Sequence, residues 1–139
     1  MGRLLAVDLG TRRIGLALTD PMKMIASPYG VIRYINEERL IENIKAICRD
    51  KDVERVIVGY PLREDGGKSR GCLRSEEFSK RLRQEGIESI LWDERYSSRI
   101  AESIVREYGK TRKNSRNKID GLAASVILES YLSAHQAQR

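Results

Sequence analysis

The chain has 139 residues, 40% of them apolar, which fits one ordinary domain with a single core spanning residues 1–139. Lys and Arg number 26 against 20 Asp and Glu, and the net charge of +6 suits a polyanionic partner as well as plain solubility. No apolar run approaches the roughly 18 residues of a membrane span, and the start lacks the layout of a secretory signal, so a cytoplasmic protein without a membrane partner is expected.

Cys48 and Cys72 lie far apart and read as reduced thiols. The single histidine, His135, sits almost at the C-terminus. Ligands for a Cys/His zinc site are therefore missing, and a histidine-activated serine or cysteine nucleophile fits poorly.

In chain order, Leu4–Leu9 reads as a strand apolar on both faces, as a central strand should be. The turn Gly10-Thr11-Arg12-Arg13 leads to a second strand, Ile14–Thr19, antiparallel because the connection is short. Asp20-Pro21 and Ser27-Pro28 bracket a loop, and Tyr29–Ile35 reads as a third strand. Asn36 is a good N-cap for an amphipathic helix carrying Leu40, Ile41, Ile44, Ile47 and Cys48 to about Asp50. Arg55–Tyr60 is a buried strand stopped by Pro61, and a helix between strands implies a parallel crossover. Arg63–Leu73 reads as a polar loop, Ser75–Glu85 as a helix closed by Gly86, and Ile87–Trp92 as a fifth strand. Ser97 or Ser98 caps a further helix through Tyr108, a basic loop follows over Gly109–Lys118, and a last helix runs from about Ile119 to His135. The order predicts an α/β fold with a mixed sheet and helices on its faces.

Three carboxylates stand at the ends of these elements: Asp8 closing strand one, Glu94 with Asp93 beside it at the exit of strand five, and Asp120 at the start of the last helix. An ionisable group closing an apolar strand is costly unless something pairs it. In sheets of this kind, sites gather at the carboxyl ends of strands. Three converging carboxylates demand a cation or protonation. Oxygen ligands select hard metals, and Mg²⁺ suits one or two carboxylates plus phosphate oxygens. Two such ions can activate water against a phosphodiester without any histidine. Each carboxylate also has a plainer reading. Asp8 could tie down its turn, Glu94 could pair with Arg95 or Arg99 while Asp93 turns inward, and Asp120 could simply favour a helix dipole.

Basic residues rim this arrangement. Arg106, Lys110, Arg112, Lys113, Arg116 and Lys118 precede Asp120. Arg63, Lys68, Arg70 and Arg74 lie in or beside the glycine-rich loop, and Arg12 and Arg13 beside Asp8. Phosphate contact is a reasonable role for them, with backbone and shape recognised over base sequence.

The run Asp8-Leu9-Gly10-Thr11-Arg12-Arg13-Ile14-Gly15, with Ala17 and Asp20, resembles the opening of the YqgF family, also called RuvX, within the RNase H-like nucleases. Ile57-Val58-Gly59-Tyr60-Pro61-Leu62 with Asp65-Gly66 is similar to its second motif, and Asp93-Glu94-Arg95-Tyr96-Ser97-Ser98 with Ala101-Glu102 to its third. Lys118-Ile119-Asp120 leading into Ala123-Ala124 and Ile127–Leu132 resembles its fourth. Tyr60 and Tyr96 stand where the family more often has aliphatic residues, and the Gly67–Cys72 stretch is also atypical.

The resemblance implies an RNase H-like fold with three antiparallel strands, then two parallel ones, flanked by helices. It implies Mg²⁺- or Mn²⁺-dependent cleavage of nucleic acid at Asp8, Glu94 and Asp120, by a monomer or homodimer. Gly10, Thr11 and Gly15 would shape the turn beside the site. The substrate implied is the 5′ end of precursor 16S ribosomal RNA, a structured RNA; branched DNA, cut by a Holliday junction resolvase, is the alternative. Two other classes compete. An actin-type phosphotransferase shares the Asp-x-Gly-Thr turn but needs two such domains. A non-catalytic RNA-binding assembly factor would use the same basic loop.

Overall fold

The computed structural model describes residues 2–97 and 121–136. Strands β1 (Arg3–Leu9), β2 (Arg13–Thr19), β3 (Ala26–Arg33), β4 (Val53–Tyr60) and β5 (Ser89–Asp93) form one sheet in the order β3-β2-β1-β4-β5. β1, β2 and β3 pair antiparallel, whereas β4 joins β1 and β5 joins β4 in parallel. Helices α1 (Glu37–Asp50) and α2 (Arg70–Gln84) make the crossovers, and α3 (Leu122–Gln136) covers the opposite face. The expected mixed sheet, three antiparallel strands and then two parallel, is the one observed.

Period-two alternation sends each central strand to two cores. Leu5 and Val7 of β1 join Ile14, Leu16, Val56 and Val58 beneath Leu40, Ile41 and Ile44 of α1 and Phe78 and Leu82 of α2. Leu4 and Ala6 face the other way, with Ala17 and Ile57, against Ala124, Ile127, Leu128, Tyr131 and Leu132 of α3. Asp8 continues the Leu4–Ala6 series and so emerges on the α3 side, near the carboxyl end of β1. The parallel strands β1, β4 and β5 end together there, which makes this edge the natural place for a site.

Asn36 caps α1 as expected, its Oδ1 accepting the Arg39 N–H at 2.8 Å. Gly86, at φ +83°, closes α2 with the paired bonds of a Schellman turn, Gly86 N–H to the Arg83 carbonyl and Ile87 N–H to the Leu82 carbonyl. That turn uses Ile87, so β5 starts at Ser89, two residues later than the pattern predicts.

β4 starts at Val53, two residues before Arg55, β3 ends at Arg33 and not Ile35, and three other starts differ by three residues or more. β3 starts at Ala26 and contains Pro28, because β3 is an edge strand and a register shift falls beside Pro28. α2 starts at Arg70, five residues before Ser75, within the expected loop. Its Ser69 cap donates Oγ–H to the Pro61 carbonyl at 2.6 Å, and a Cβ on Gly71 would come within 2.9 Å of the Pro61 ring. The missing side chain lets the first turn rest on the end of β4. α3 starts at Leu122 and not near Ile119, because Gly121 sits at φ +82°. The expected helix after Ser97, the basic loop 109–118 and Asp120 lie outside the described residues.

Gly121 fixes how α3 enters the fold. A Cβ there would lie 2.2 Å from the Leu16 carbonyl oxygen and 3.1 Å from that of Gly30. Gly121→Ala therefore meets both a strained φ and backbone that cannot move aside. It is expected to cost at least about 1–3 kcal/mol of unfolding free energy in urea denaturation.

Candidate active site

The site is built on the face where side chains shrink to make room. Asp8 of β1 pairs directly with Gly15 of β2. A Cβ on Gly15 would lie 3.7 Å from the Asp8 Cβ, 3.7 Å from the Gly121 Cα and 3.8 Å from the Ala124 Cβ. The start of α3 thus lies beside Asp8, and Gly121 is the chain neighbour of Asp120, which itself is not among the described residues. On the other flank, Gly59 of β4 leaves the space that the Glu94 carboxylate fills. A Cβ there would come 2.9 Å from Glu94 Oε2 and 2.8 Å from Ile127 Cδ1.

Asp93 ends β5 and Glu94 opens a single 3₁₀ turn, Glu94–Ser97. These neighbours go to different partners. Asp93 is gripped by Arg95, whose Nε lies 3.1 and 3.0 Å from the two carboxylate oxygens and whose Nη2 lies 2.7 Å from Oδ2. The Arg95 backbone N–H adds a bond of 2.9 Å to Oδ1. These hydrogen bonds hold the Asp93 pKa below its ordinary value. Glu94 has no such partner among the described residues. Burial first, then the charges of Asp8 and Asp93, raise its pKa from 4.5 to about 7. Burial raises Asp8 as well. Two half-buried carboxylates therefore lie near enough for the Asp8 charge to act on Glu94, and no described residue donates a hydrogen bond to either.

The walls are braced by packing. Trp92 of β5 donates Nε1–H to Ser130 Oγ at 3.0 Å and meets Tyr131 edge-on at 5.3 Å and Tyr96 at 5.5 Å. This holds the Glu94 turn against α3. His135 stacks on Tyr131 at 3.9 Å, its Nδ1 2.8 Å from the Tyr131 carbonyl, so its contacts are those of an aromatic cluster. Arg74 of α2 reaches across to the Gly10 carbonyl at 2.5 Å and lies over the Tyr34 ring, tethering the turn that follows Asp8. Gly10 is required in that turn, since a Cβ would lie 2.3 Å from the Arg13 carbonyl oxygen.

The basic residues expected at phosphates fall into three groups. Arg12 and Arg13 are exposed beside Asp8, and Arg70 is exposed in the first turn of α2. Lys68 is engaged by Glu76 at 2.9 Å, which also accepts the Tyr60 hydroxyl, and Arg63 pairs with Asp65 at 3.4 Å. Both pairs are exposed and exchange readily. Lys110, Arg112, Lys113, Arg116 and Lys118 lie outside the described residues. Sequence reasoning missed Gly59 and Gly121; the available signals were a glycine inside an apolar central strand and one at the start of a helix.

The carboxylate pair suits a hard divalent cation. Among the described residues no cluster of three or more His, Cys, Asp or Glu side chains is placed to hold a metal. Two carboxylates with no hydrogen-bond donor among the described residues, lying beside Gly15 and Gly59, are the kind of oxygen donors that Mg²⁺ or Mn²⁺ takes alongside water and phosphate oxygens.

The strand order and connections define the fold class: an RNase H-like α/β fold, shared with RuvC. RuvC of T. thermophilus, in a complex with Holliday junction substrate, superposes with a TM-score of 0.64 at 11% identity, over 98% of this chain and 96% of that one. The yeast mitochondrial Holliday junction resolvase Ydc2 gives 0.60 at 10% identity, over 99% and 80%. Within that class the chain belongs to the RuvX family, whose model, described as "RuvX: Holliday junction resolvase", matches residues 2–134. A relative in Syntrophus aciditrophicus named "Putative pre-16S rRNA nuclease" is 37% identical over 95% of this chain and 89% of its own length. One of the same name in Anaeromyxobacter sp. is 38% identical over 97% and 99%.

The raised Glu94 pKa has a sign. Folding favours its neutral form, so that stability is fully present below pH 4.5 and is lost as pH rises through about 7. In metal-free buffer the Tm is expected to fall across this window, and Glu94→Gln to flatten the fall. Differential scanning fluorimetry against pH measures both.

Proposed function

We propose that this chain is a divalent-metal-dependent nuclease, cutting a phosphodiester bond of structured RNA at the Asp8–Glu94 pair, and that its work is 5′-end maturation of precursor 16S ribosomal RNA in the cytoplasm. The observation that carries the reading is the pair itself. Two carboxylates without a hydrogen-bond donor among the described residues are held against each other where β1, β4 and β5 end. Such a pair is expensive to keep unless it meets a cation.

Asp8 and Glu94 would hold Mg²⁺ or Mn²⁺, with Asp120 as the third ligand by its position in the sequence. A divalent ion there, or two in the two-metal arrangement, supplies charge neutralisation for the phosphodiester and a more acidic water. The chain's own residues supply position. Gly59 leaves the space that the Glu94 carboxylate fills, Gly15 lies beside Asp8, Arg95 withdraws Asp93, and the Arg74 tether fixes the turn after Asp8. Arg12, Arg13 and Arg70, all exposed, would meet the backbone and orient a strand without reading its bases. The names of the relatives support the RNA substrate, while the family description supports branched DNA as the second reading.

Wild type and Asp8→Asn, each with Mg²⁺ and with Mn²⁺, separate these on a precursor ribosomal RNA and a four-way DNA junction. Wild type should trim the precursor, and Asp8→Asn should lose roughly 100-fold or more of that rate while staying folded, with a Tm no lower than wild type's. A folded Asp8→Asn protein with full activity contradicts the reading. Cleavage of the junction with an untouched precursor moves the substrate to branched DNA.

A further inference from the structure

Arg13 of β2 and Arg33 of β3 stand directly opposite each other in the antiparallel ladder. Both are exposed, and neither makes a hydrogen bond or ion pair with any described residue. Like charges placed directly across a ladder destabilise it. Several other arginines have partners: Arg55 meets Glu88, Arg81 meets Glu38, Arg95 meets Asp93, and Arg74 meets the Gly10 carbonyl. The register also gives the pair a direction. Arg13 lies two residues from Gly15, on the same face, and Gly15 is the partner of Asp8. Strand spacings of ~4.8 Å and rises of ~3.4 Å per residue put the Arg13 and Arg33 backbones about 8 and about 12 Å from that of Asp8. On that face the described positions between them are Gly15 and Val31, which bring no charge.

We propose that Arg13 and Arg33 form a two-arginine clamp for a backbone phosphate of the bound strand, next to the one that is cut; this rests on the nuclease reading above. Side chains that leave the sheet ~5 Å apart can close two guanidinium forks on one phosphate, each offering a bidentate contact. The anion removes the repulsion that the unbound sheet carries. The contact reads no base, so it sets where along the strand the acidic pair acts.

The test uses Asp8→Asn as parent, so that RNA binds without being cut, and a fragment of precursor ribosomal RNA as the probe. Binding is measured against salt for the parent and for versions adding Arg33→Ala or Arg33→Lys. The clamp predicts that Arg33→Ala weakens binding several-fold and lowers the slope of log K against log salt by about 0.7–0.9, the value for one phosphate contact. Arg33→Lys should restore the slope but only part of the affinity. Because the alanine relieves repulsion, its Tm should equal or exceed the parent's. An unchanged slope and affinity, or weaker binding with a lower Tm, overturns the clamp and leaves the nuclease reading standing. A parent without salt-dependent RNA binding, alongside a wild type that cuts nothing, overturns both.

Discussion

The repulsion between Asp8 and Glu94 is the constraint around which this end of the molecule is arranged. Burial raises both carboxyl groups, and each charge makes the other less favourable. A sheet edge with ordinary side chains would separate them or hand each a cation. Here, instead, Gly59 leaves the space that Glu94 enters, Gly15 keeps the other flank of Asp8 low, and Arg95 is spent on Asp93. The two are kept close by surroundings in which no described residue donates a hydrogen bond to either, and their charged forms are disfavoured.

The two cores divide the labour of holding that arrangement. The larger one, under α1 and α2, carries the big side chains Leu5, Ile14, Leu16, Phe78 and Leu82. It makes β1 and β4 rigid where they emerge at the site. The α3 core uses small residues close to the site, Gly15, Ala17 and Ala124, and larger ones farther along the helix, Leu128, Tyr131 and Leu132. α3 can therefore begin very near the sheet, with Gly121 against the backbone of Leu16 and Gly30. Trp92 and Tyr131 then hold the Glu94 turn to the same helix. One helix thereby braces both flanks of the acidic pair.

How much of this could be read from residues alone depends on the range of the interaction. The apolar periodicity of β1, β2, β4 and α1, and the Asn36 cap, are local, and the elements form where the pattern puts them. β3 was harder, because Pro28 breaks a strand unless the strand lies at an edge, and edge position is a property of the whole sheet. The start of α2 turned on Gly71 resting against Pro61, a contact between residues well separated in the sequence. The choice between Asp93 and Glu94 could not be made locally, since the two are adjacent and the answer lies in where Arg95 folds back. Arg33 carries no signal of its own; only the register sets it opposite Arg13. Asp8 and Glu94 were legible as carboxylates at element ends, and the glycines beside them were not.

The most direct test of this account is a double-mutant cycle on thermal stability in metal-free buffer at about pH 8. It compares Asp8→Asn, Glu94→Gln and the double variant with wild type. If the two carboxylates are held against each other, either single change removes the repulsion. Each should raise the Tm, and the double variant should gain clearly less than the sum. Single variants that lower the Tm, or gains that simply add, would show two independent carboxylates and contradict the account.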